Sequence, residues 1–317
     1  MKILVTGGAG FIGFYVAKAL LERGDFVVII DNFNDYYPTK IKYDRINQIK
    51  KYKNLKVHKL DISNFKELEK IFKKYKFNKI CHLAAQAGVR YSLKDPFRYE
   101  LWNNLGTLNI LELAVRHKIK DIVYASSSSV YGNNKKIPFS EKDNVDKPIS
   151  LYAATKKCNE LYAHVYHHLY GLNCTGLRFF TVYGPFGRPD MALFKFVKNI
   201  LEDKPIEVYN YGKMKRDFTH ISDIVSGVIS AIDKPFPYEI FNLGGDNPIE
   251  LNYFIKIIEK ELAKKAKKKL MPLQKGDVPV TMADVDLARI KLGYNPKIRI
   301  EEGIKNFIKW YKNYYKK

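Results

Sequence analysis

Short apolar runs alternate, along the first 180 residues, with stretches in which apolar positions recur every three or four residues. The short runs predict buried parallel strands, and the longer stretches predict helices with one buried face. The predicted strands cover residues 2–5, 26–30, 55–60, 79–83, 121–125 and 174–177. The predicted helices include residues 11–21, 65–72, 98–117 and 152–169, with a short helix through residues 46–49. This alternation is typical of an α/β protein with a doubly wound parallel sheet.

The second half of the chain continues the pattern less regularly. Helical spacing recurs at residues 221–232, 250–263 and 304–315, and a strand with a glycine turn is predicted at 241–245. We place one domain at residues 1–180, to which residues 217–244 return. Residues 181–216 and 245–317 are expected to form a smaller C-terminal α/β lobe.

A glycine-rich turn, TGGAGFIG, joins the first predicted strand to the first helix. Gly7 permits the tight turn, Gly10 lets a pyrophosphate approach the backbone, and Gly13 lets helix and strand pack closely. The helix, which begins with Phe11 and Ile12, presents free N–H groups to an anion. Such glycine patterns also occur in ordinary turns, but the surrounding strands and helix favour dinucleotide binding.

Acidic residues follow the second and third predicted strands. An acid at Asp31 accepts both ribose hydroxyls of NAD and repels the extra phosphate of NADP, so we expect NAD, with Asn32 beside it. Asp61 and Ile62 follow the third strand. There the acid either binds the adenine amine or is an ordinary turn residue.

Small residues follow the fourth predicted strand, where they let the backbone pass close to a flat ring such as nicotinamide. The residues expected at this ring are Leu83, Ala84 and Ala85. Val89 and Arg90 end the same apolar stretch. Arg90 either binds an anion or lies on the surface, and the sequence leaves both open.

Serines end the fifth predicted strand, and the next long helix opens with a tyrosine and a lysine. Tyr152 and Lys156 are four residues apart and therefore share one helix face. A nearby ammonium group and the positive nicotinamide favour the phenolate of the tyrosine. That phenolate can take a proton from a substrate hydroxyl as hydride leaves the same carbon, while a serine binds the reacting oxygen.

The order of these motifs resembles the extended short-chain dehydrogenase/reductase family, and within it the nucleotide-sugar epimerases. The segments that carry the resemblance over essentially the whole chain are TGGAGFIG, Asp31, Asp61, HLAAQAGVR, SSSSVYG and YAATK. The resemblance implies a Rossmann fold that binds NAD in the first domain and a UDP-sugar in the smaller lobe. It places the catalytic serine on Ser127, with Ser128 as a helper.

Three segments are most similar to UDP-glucuronate 4-epimerases: DNFNDYY, HLAAQAGVR and FGRPDMA. The similarity implies that UDP-glucuronate is converted to UDP-galacturonate through a 4-keto intermediate. Thr181 stands where galactose epimerases carry asparagine. Thr181, Arg188 and Arg90 can supply donors to the glucuronate carboxylate.

The nucleotide end of the substrate is expected at two later segments. Arg216 resembles the pyrophosphate-binding arginine of the family. Gln274 stands where galactose epimerases carry arginine, and Asp277 is expected at a ribose hydroxyl. Ser128 and Ser129 occupy positions at which dehydratases and decarboxylases of the family carry an acid, which disfavours both reactions.

Two other functions stay open from the sequence. The first is 4-epimerisation of neutral or N-acetylated UDP-hexoses, and the second, more remote, is a noncatalytic NAD-binding regulator. The net charge of +22 attracts polyanions, but its lysines are spread along the chain, so we expect no nucleic-acid partner. We also expect no membrane insertion, a cytoplasmic location and a homodimer formed by the helices at 98–117 and 152–169.

The cysteine pattern predicts neither a metal site nor a disulfide framework. Cys81, Cys158 and Cys174 are scattered, without the short spacing of metal ligands. We therefore expect reduced thiols and no metal.

Overall fold

A computed structural model describes residues 1–274 and 277–316 of the chain. The strands are β1 (Lys2–Thr6), β2 (Phe26–Asp31), β3 (Leu55–Lys59), β4 (Lys79–His82), β5 (Asp121–Ser127), β6 (Asn173–Phe179), β7 (Thr181–Tyr183), β8 (Ile206–Tyr209), β9 (Lys215–His220), β10 (Tyr238–Leu243), β11 (Pro248–Glu250) and β12 (Lys268–Met271). The α-helices are α1 (Phe11–Glu22), α2 (Lys40–Ile49), α3 (Phe65–Tyr75), α4 (Pro96–Tyr99), α5 (Gly106–Arg116), α6 (Leu151–Tyr170), α7 (Ala192–Leu201), α8 (Ile221–Asp233), α9 (Leu251–Leu262), α10 (Asp286–Leu292) and α11 (Ile300–Tyr315).

The largest sheet in the described residues has seven strands in the order β10–β6–β5–β4–β1–β2–β3. All of its neighbouring strands are parallel. The strand order reverses between β1 and β4, and ligands of such sheets bind beyond the carboxyl ends of the strands at this point. The doubly wound α/β fold is therefore confirmed.

Helices cover both faces of this sheet, which explains why its central strands are apolar throughout. Ile3 and Val5 of β1 pack with α1 and α8 on one face. Leu4 points the other way and packs with α3, α5 and α6.

A second, smaller body is built from the later elements. β11, β9 and β7 form a three-stranded sheet, and β12 pairs with β8. Helices α7, α9 and α11 surround a separate apolar cluster that includes Phe194, Phe254 and Phe307. Within the described residues, none of the helices has the length and apolar character that a membrane span requires.

The helix predicted over residues 98–117 is interrupted by a π-helical stretch, Glu100–Leu105. The reason is tertiary, because Asn103 in this stretch is fully buried and bonded to other elements. It accepts the main-chain N–H of Gln86 at 2.7 Å, and it donates to the main-chain oxygen of Gln86 and to Thr155 Oγ1. The wider turn brings Asn103 to these partners, as is common for π-helical turns near functional sites.

Candidate active site

One cavity of about 900 Å³ extends from the glycine turn, past the ends of β4 and β5, into the smaller lobe. The structure brings together here the residues that the sequence predicted to bind cofactor or substrate, apart from Asp61 and Gln274. Those that line the cavity are Gly7, Gly10, Phe11, Ile12, Gly13, Asp31, Asn32, Ile62, Leu83, Ala84, Ala85, Val89, Arg90, Ser127, Ser128, Tyr152, Lys156, Thr181, Arg188, Arg216 and Asp277.

The glycine turn leaves no space for side chains. A Cβ atom at Gly13 would lie 2.2 Å from the carbonyl oxygen of Gly7, and one at Gly10 would lie 2.9 Å from the same oxygen. Gly7 has a φ of +70°, and its added Cβ would lie 2.8 Å from the main chain of Ala84. No described side chain caps α1 at Gly10, so the first N–H groups of the helix are available to an anion. The turn therefore fits the pyrophosphate of NAD.

Asp31 lies buried beside this turn at the end of β2. Its carboxylate accepts the main-chain N–H groups of Ala9 at 3.1 Å and Phe33 at 2.8 Å. Lys42 of α2 lines the same part of the cavity and donates to Asn34 at 3.0 Å. Burial lowers the pKa of Lys42, while the charge of Asp31 opposes that shift. Lys42 is a cavity residue that the sequence reasoning missed.

Two predicted residues point to other partners instead of lining the cavity. Asp61 accepts Asn32 Nδ2 at 3.1 Å and both the main-chain N–H and the hydroxyl of Ser63, at 2.9 and 2.7 Å. This is the arrangement of a turn residue, and contact with the adenine amine stays a prediction. Gln274 forms a side-chain hydrogen bond with Tyr209. Its contact with the nucleotide likewise stays a prediction.

The three predicted catalytic side chains meet at the ends of β5 and α6. Ser150 fixes the start of α6 by accepting a main-chain N–H at 3.2 Å. Lys156 is buried and donates Nζ to the main-chain oxygen of Ala125 at 2.8 Å. The side chains of Tyr152 and Ser127 lie close enough to interact, and the Ser127 hydroxyl donates to Ser129 Oγ at 3.0 Å. In this geometry the hydroxyl groups of Tyr152 and Ser127 can both bind one hydroxyl oxygen of a substrate.

Burial raises the pKa of Tyr152, while its interaction with Ser127 and the charge of Arg188 oppose the rise. Burial also lowers the pKa of Lys156 to about 8, against the opposing charge of Glu160. Arg188 therefore contributes positive charge near Tyr152, and the action of Lys156 on the phenolate stays a prediction. The net direction keeps Tyr152 protonated until additional positive charge arrives to favour its phenolate.

A buried ion pair anchors this site from behind. Arg178 of β6 donates to both carboxylate oxygens of Glu160 at 2.8 and 2.9 Å, and Ser126 donates to the same carboxylate at 2.6 Å. Both charged side chains are at most 2% exposed. The pair therefore joins α6 to β5 and β6. Glu160 was missed from the sequence, although it follows Lys156 by one helical turn on the same face.

Arg188 is held by a neighbouring carboxylate. Its Nε and Nη2 donate to Asp190 at 3.0 and 2.6 Å, and the hydroxyl of Tyr36 donates to Asp190 at 3.0 Å. Burial raises the pKa of Asp190, but the charge and hydrogen bonds of Arg188 outweigh it, so that the pKa is lowered. Arg188 is thus fixed near Tyr152 and Thr181 in the cavity wall. Asp190 and Tyr36 are cavity residues that the sequence reasoning missed.

Arg90 joins a different group at the nucleotide end. Arg90 Nη2 and Arg216 Nη2 each donate to Asp277 at 3.2 Å, one to either carboxylate oxygen. The Arg90 guanidinium also lies 4.6 Å from the ring centre of Tyr209. The two arginines concentrate positive charge at one end of the cavity, which suits a diphosphate.

Gln86, also missed from the sequence, lines the cavity between the small residues and Arg90. It is buried, and its Oε1 has no hydrogen-bond partner among the described residues. A buried acceptor of this kind requires a donor, and the carboxamide of nicotinamide offers one. Across residues 1–274 and 277–316, no cluster of three or more histidine, cysteine, aspartate or glutamate side chains could hold a metal ion.

Comparisons with known proteins agree with this site. A model of the NAD dependent epimerase/dehydratase family matches residues 3–244. The chain is 59% identical to the uncharacterized protein MJ1055 of Methanocaldococcus jannaschii, over 98% of this chain and 96% of that protein. It is 49% identical to the UDP-glucuronate 4-epimerase of Thermodesulfobacterium geofontis, over 98% and 95% of the two chains.

Among solved structures, the chain is similar to the UDP-glucuronic acid 4-epimerase of Bacillus cereus in complex with UDP-glucuronic acid and NAD. The TM-score is 0.94 at 35% sequence identity, with 99% of this chain and 100% of that chain covered. The family match spans more than half of the chain, including the glycine turn and the residues predicted to be catalytic. The chain therefore belongs to the NAD-dependent epimerase/dehydratase family.

Proposed function

We propose that this protein interconverts UDP-glucuronate and UDP-galacturonate by NAD-dependent inversion at carbon 4 of the sugar. The observation that carries the proposal is that the neighbouring side chains of Ser127 and Tyr152 share one cavity with the glycine turn and Arg188. The relatives named UDP-glucuronate 4-epimerase support the choice of sugar.

The large sheet supplies the residues that would hold NAD. The N-terminus of α1 faces the pyrophosphate, and Asp31 accepts the ribose hydroxyls. Ala84, Ala85 and Gln86 line the cavity on the nicotinamide side. When bound there, NAD supplies reversible hydride acceptance at carbon 4 and a positive charge near Tyr152.

Tyr152 acts as the general base in this proposal. Its phenolate takes the proton of the 4-hydroxyl as that carbon is oxidised, and later returns a proton to the oxygen of the inverted carbon. Ser127 donates a hydrogen bond to the same oxygen. Lys156 and Arg188 supply the positive charge of the protein around this oxygen and Tyr152.

The carboxylate of the sugar must be held while carbon 4 is a ketone, because a β-keto acid readily loses carbon dioxide. Arg188 and Thr181 line the cavity on this side, and Arg188 is fixed by Asp190. The turn that follows Ser127 carries Ser128 and Ser129 instead of an acid. We therefore propose epimerisation without decarboxylation or dehydration.

The direct experiment incubates the purified protein, without added NAD, with UDP-glucuronate, UDP-glucose and UDP-N-acetylglucosamine separately. We expect UDP-galacturonate to accumulate to a constant ratio, and we expect Tyr152→Phe to slow turnover by about 10²–10⁴-fold while NAD stays bound. Conversion of only the neutral or N-acetylated sugars would identify the alternative epimerase. Retained NAD without any conversion would favour the noncatalytic regulator.

We also propose the division of labour between the two bodies. Residues 1–180 and 217–244 bind NAD, and residues 181–216 and 245–317 bind the UDP-sugar. The pairing of β10 with β6 supports the return of the chain to the large sheet. The separate apolar cluster of α7, α9 and α11 supports a distinct lobe.

A homodimer and a cytoplasmic location complete the proposal. Apolar side chains that are at least 40% exposed lie on the π-helical stretch and on α6, and they include Leu101, Leu105, Leu161, Val165 and Leu169. A second copy of this surface is the occupant we propose, since the faces are apolar and adjacent. The free thiols of Cys81, Cys158 and Cys174, together with the use of NAD and UDP-sugars, support a reducing cytoplasm.

A further inference from the structure

Arg45 of α2 is completely buried, and the acceptors around its guanidinium are neutral. Nη1 donates to the main-chain oxygen of Ala9 and to the hydroxyl of Tyr37, both at 2.9 Å. Nε and Nη2 donate to the main-chain oxygen of Phe186 at 3.1 and 2.7 Å, and Nη2 also reaches that of Gly187 at 3.4 Å. Buried charges are normally paired with an opposite charge, so this arrangement calls for a functional explanation.

Arg45 joins two segments that contribute residues to the two halves of the cavity, namely the glycine turn and the segment that ends at Arg188. Ala9 is part of the glycine turn, and its N–H is bonded to Asp31. Phe186 and Gly187 directly precede Arg188. One side chain thus connects the turn that faces the pyrophosphate of NAD to the segment that carries the sugar-binding arginine.

The turn before Arg188 has an unfavourable backbone conformation. Phe186 has a φ of +54°, a left-handed conformation that is unfavourable for a residue other than glycine. Its carbonyl oxygen is held by Arg45, and that of Pro185 accepts the hydroxyl of Tyr15 at 3.0 Å. The conformation of this turn therefore depends on donors from the large sheet domain.

The segment after Arg188 is held by the region of the chain that also contains Arg45. Tyr36 precedes Arg45 in the loop and helix that follow Asp31, and its hydroxyl bonds Asp190. Asp190 in turn fixes the guanidinium of Arg188. The loop and helix that follow Asp31 therefore contact the chain both just before and just after Arg188.

We infer that Arg45 is a positioning residue that couples the NAD-binding glycine turn to the placement of Arg188 for the substrate carboxylate. The inference rests on the proposed function. The charge of Arg45 lies next to the turn that receives the pyrophosphate, so that binding of this anion strengthens the connection from both ends. Arg45 itself is not among the residues that line the cavity.

A double-mutant cycle on the NAD-loaded protein tests the coupling. The variants are Arg45→Met, Arg188→Met and the pair, with binding of UDP-glucuronate and of UDP measured by calorimetry. We expect Arg45→Met to weaken UDP-glucuronate about tenfold and UDP less than about twofold. In the Arg188→Met background the same change should weaken UDP-glucuronate less than about twofold. Equal weakening in both backgrounds would overturn the inference.

Retention of NAD gives a second, substrate-independent measurement. We expect Arg45→Met to release NAD about tenfold faster than wild type on dilution, because the glycine turn loses its support at Ala9. An unchanged release rate would also overturn the inference. Arg116→Met is the matched control, since Arg116 is 54% exposed and faces Glu69 and Glu112 on the surface.

The remaining outcomes separate this inference from the proposed function. If wild-type protein converts neutral UDP-sugars but not UDP-glucuronate, the proposed function fails, and the NAD release rate still decides the role of Arg45. If Arg45→Met does not fold, Arg45→Lys replaces it in the same measurements. Lysine keeps the charge but cannot span Ala9 and Phe186 with a planar fork, so the same direction of change is expected.

Discussion

The ammonium group of Lys156 is bonded to the main-chain oxygen of Ala125, a neutral partner, at the inner wall of the active site. Burial lowers the pKa of this lysine from 10.5 to about 8, and the carboxylate of Glu160 opposes only part of the shift. A catalytic cation is therefore maintained at the expense of folding free energy, as is common in active sites.

Replacing Lys156 with methionine should stabilise the fold while impairing the enzyme. The lowered pKa corresponds to a destabilisation of about 3 kcal/mol at neutral pH, which the variant removes. Loss of the hydrogen bond to Ala125 offsets about 1 kcal/mol of that gain. We expect the free energy of unfolding to rise by about 2 kcal/mol at pH 7, measured by denaturant titration. A less stable variant at pH 7 would contradict the assignment of Lys156 as a buried, strained cation.

The pH dependence of that difference provides its control. A lysine whose folded-state pKa is lowered destabilises the fold fully below about pH 8, and the penalty disappears as the pH rises towards 10.5. The stability difference between Lys156→Met and wild type should therefore shrink between these values. A difference independent of pH would instead indicate a packing effect.

Replacing Arg188 alone should reduce turnover of UDP-glucuronate more strongly than turnover of neutral UDP-hexoses. Arg188→Ala removes the donor for the carboxylate and leaves the partly buried Asp190 without its cation. We expect kcat/KM for UDP-glucuronate to fall about 100-fold or more, because the unpaired aspartate also repels the substrate. Turnover of neutral UDP-hexoses, measured in parallel, should fall less, because these substrates lose only the charge of Arg188 near Tyr152.

The double variant Arg188→Ala/Asp190→Ala tests this electrostatic explanation. Removing both charges abolishes the repulsion, so UDP-glucuronate turnover should recover relative to Arg188→Ala alone. If the double variant is as impaired as the single one, Asp190 does not act through its charge.

Gly13→Ala should prevent NAD binding. The added Cβ would lie 2.2 Å from the oxygen of Gly7, so the turn must shift where the pyrophosphate binds. We expect at least about tenfold loss of NAD affinity, measured by calorimetry after removal of the cofactor. Gly171→Ala controls for a loss of stability alone, because its φ of +66° disfavours alanine while its added Cβ meets no atom within 4 Å and its position, the C-terminal cap of α6, does not line the cavity.

Charge on the exposed faces of α6 should separate the proposed dimer. Leu161 and Leu169 are 54% and 61% exposed and lie about two helical turns apart on that face. Leu161→Glu with Leu169→Glu should give monomers in sedimentation velocity runs, since like charges would face each other across a two-fold axis. Ile290→Glu, which places the same charge at an 81% exposed position on α10, should leave the dimer intact. A wild-type monomer at all concentrations would refute the dimer directly.

Much of the large sheet could be predicted from the sequence, because the contacts that determine its strands and glycine turn involve residues close together in the chain. Ile3, Val5 and Leu4 point to opposite faces of a covered strand, and Gly13 is required by a contact only six residues away. The interruption at Glu100–Leu105 could not be read in this way. It depends on Gln86 and Thr155, which bond Asn103 only after β4 and α6 have taken their places.

The site residues likewise fall into those that local spacing predicts and those that depend on tertiary contacts. Tyr152 and Lys156 share a helix face that spacing alone predicts. The partner of Arg188 and the grouping of Arg90 with Arg216 depend on loop geometry that no periodicity encodes. Arg45 was within reach, because it interrupts an apolar series of Ile41 and Ile49 at intervals of four residues, and a charged residue there indicates a buried polar contact.

The extra residue accommodated between Tyr99 and Gly106 has a consequence for sequence change in this family. Deleting one residue from that stretch would restore a regular helix and rotate the preceding part by about 100°. The rotation would swing Asn103 away from Gln86 and redirect Leu101 at the same time. Catalytic architecture and subunit association would then be lost together, so this segment should tolerate substitutions much better than changes in length.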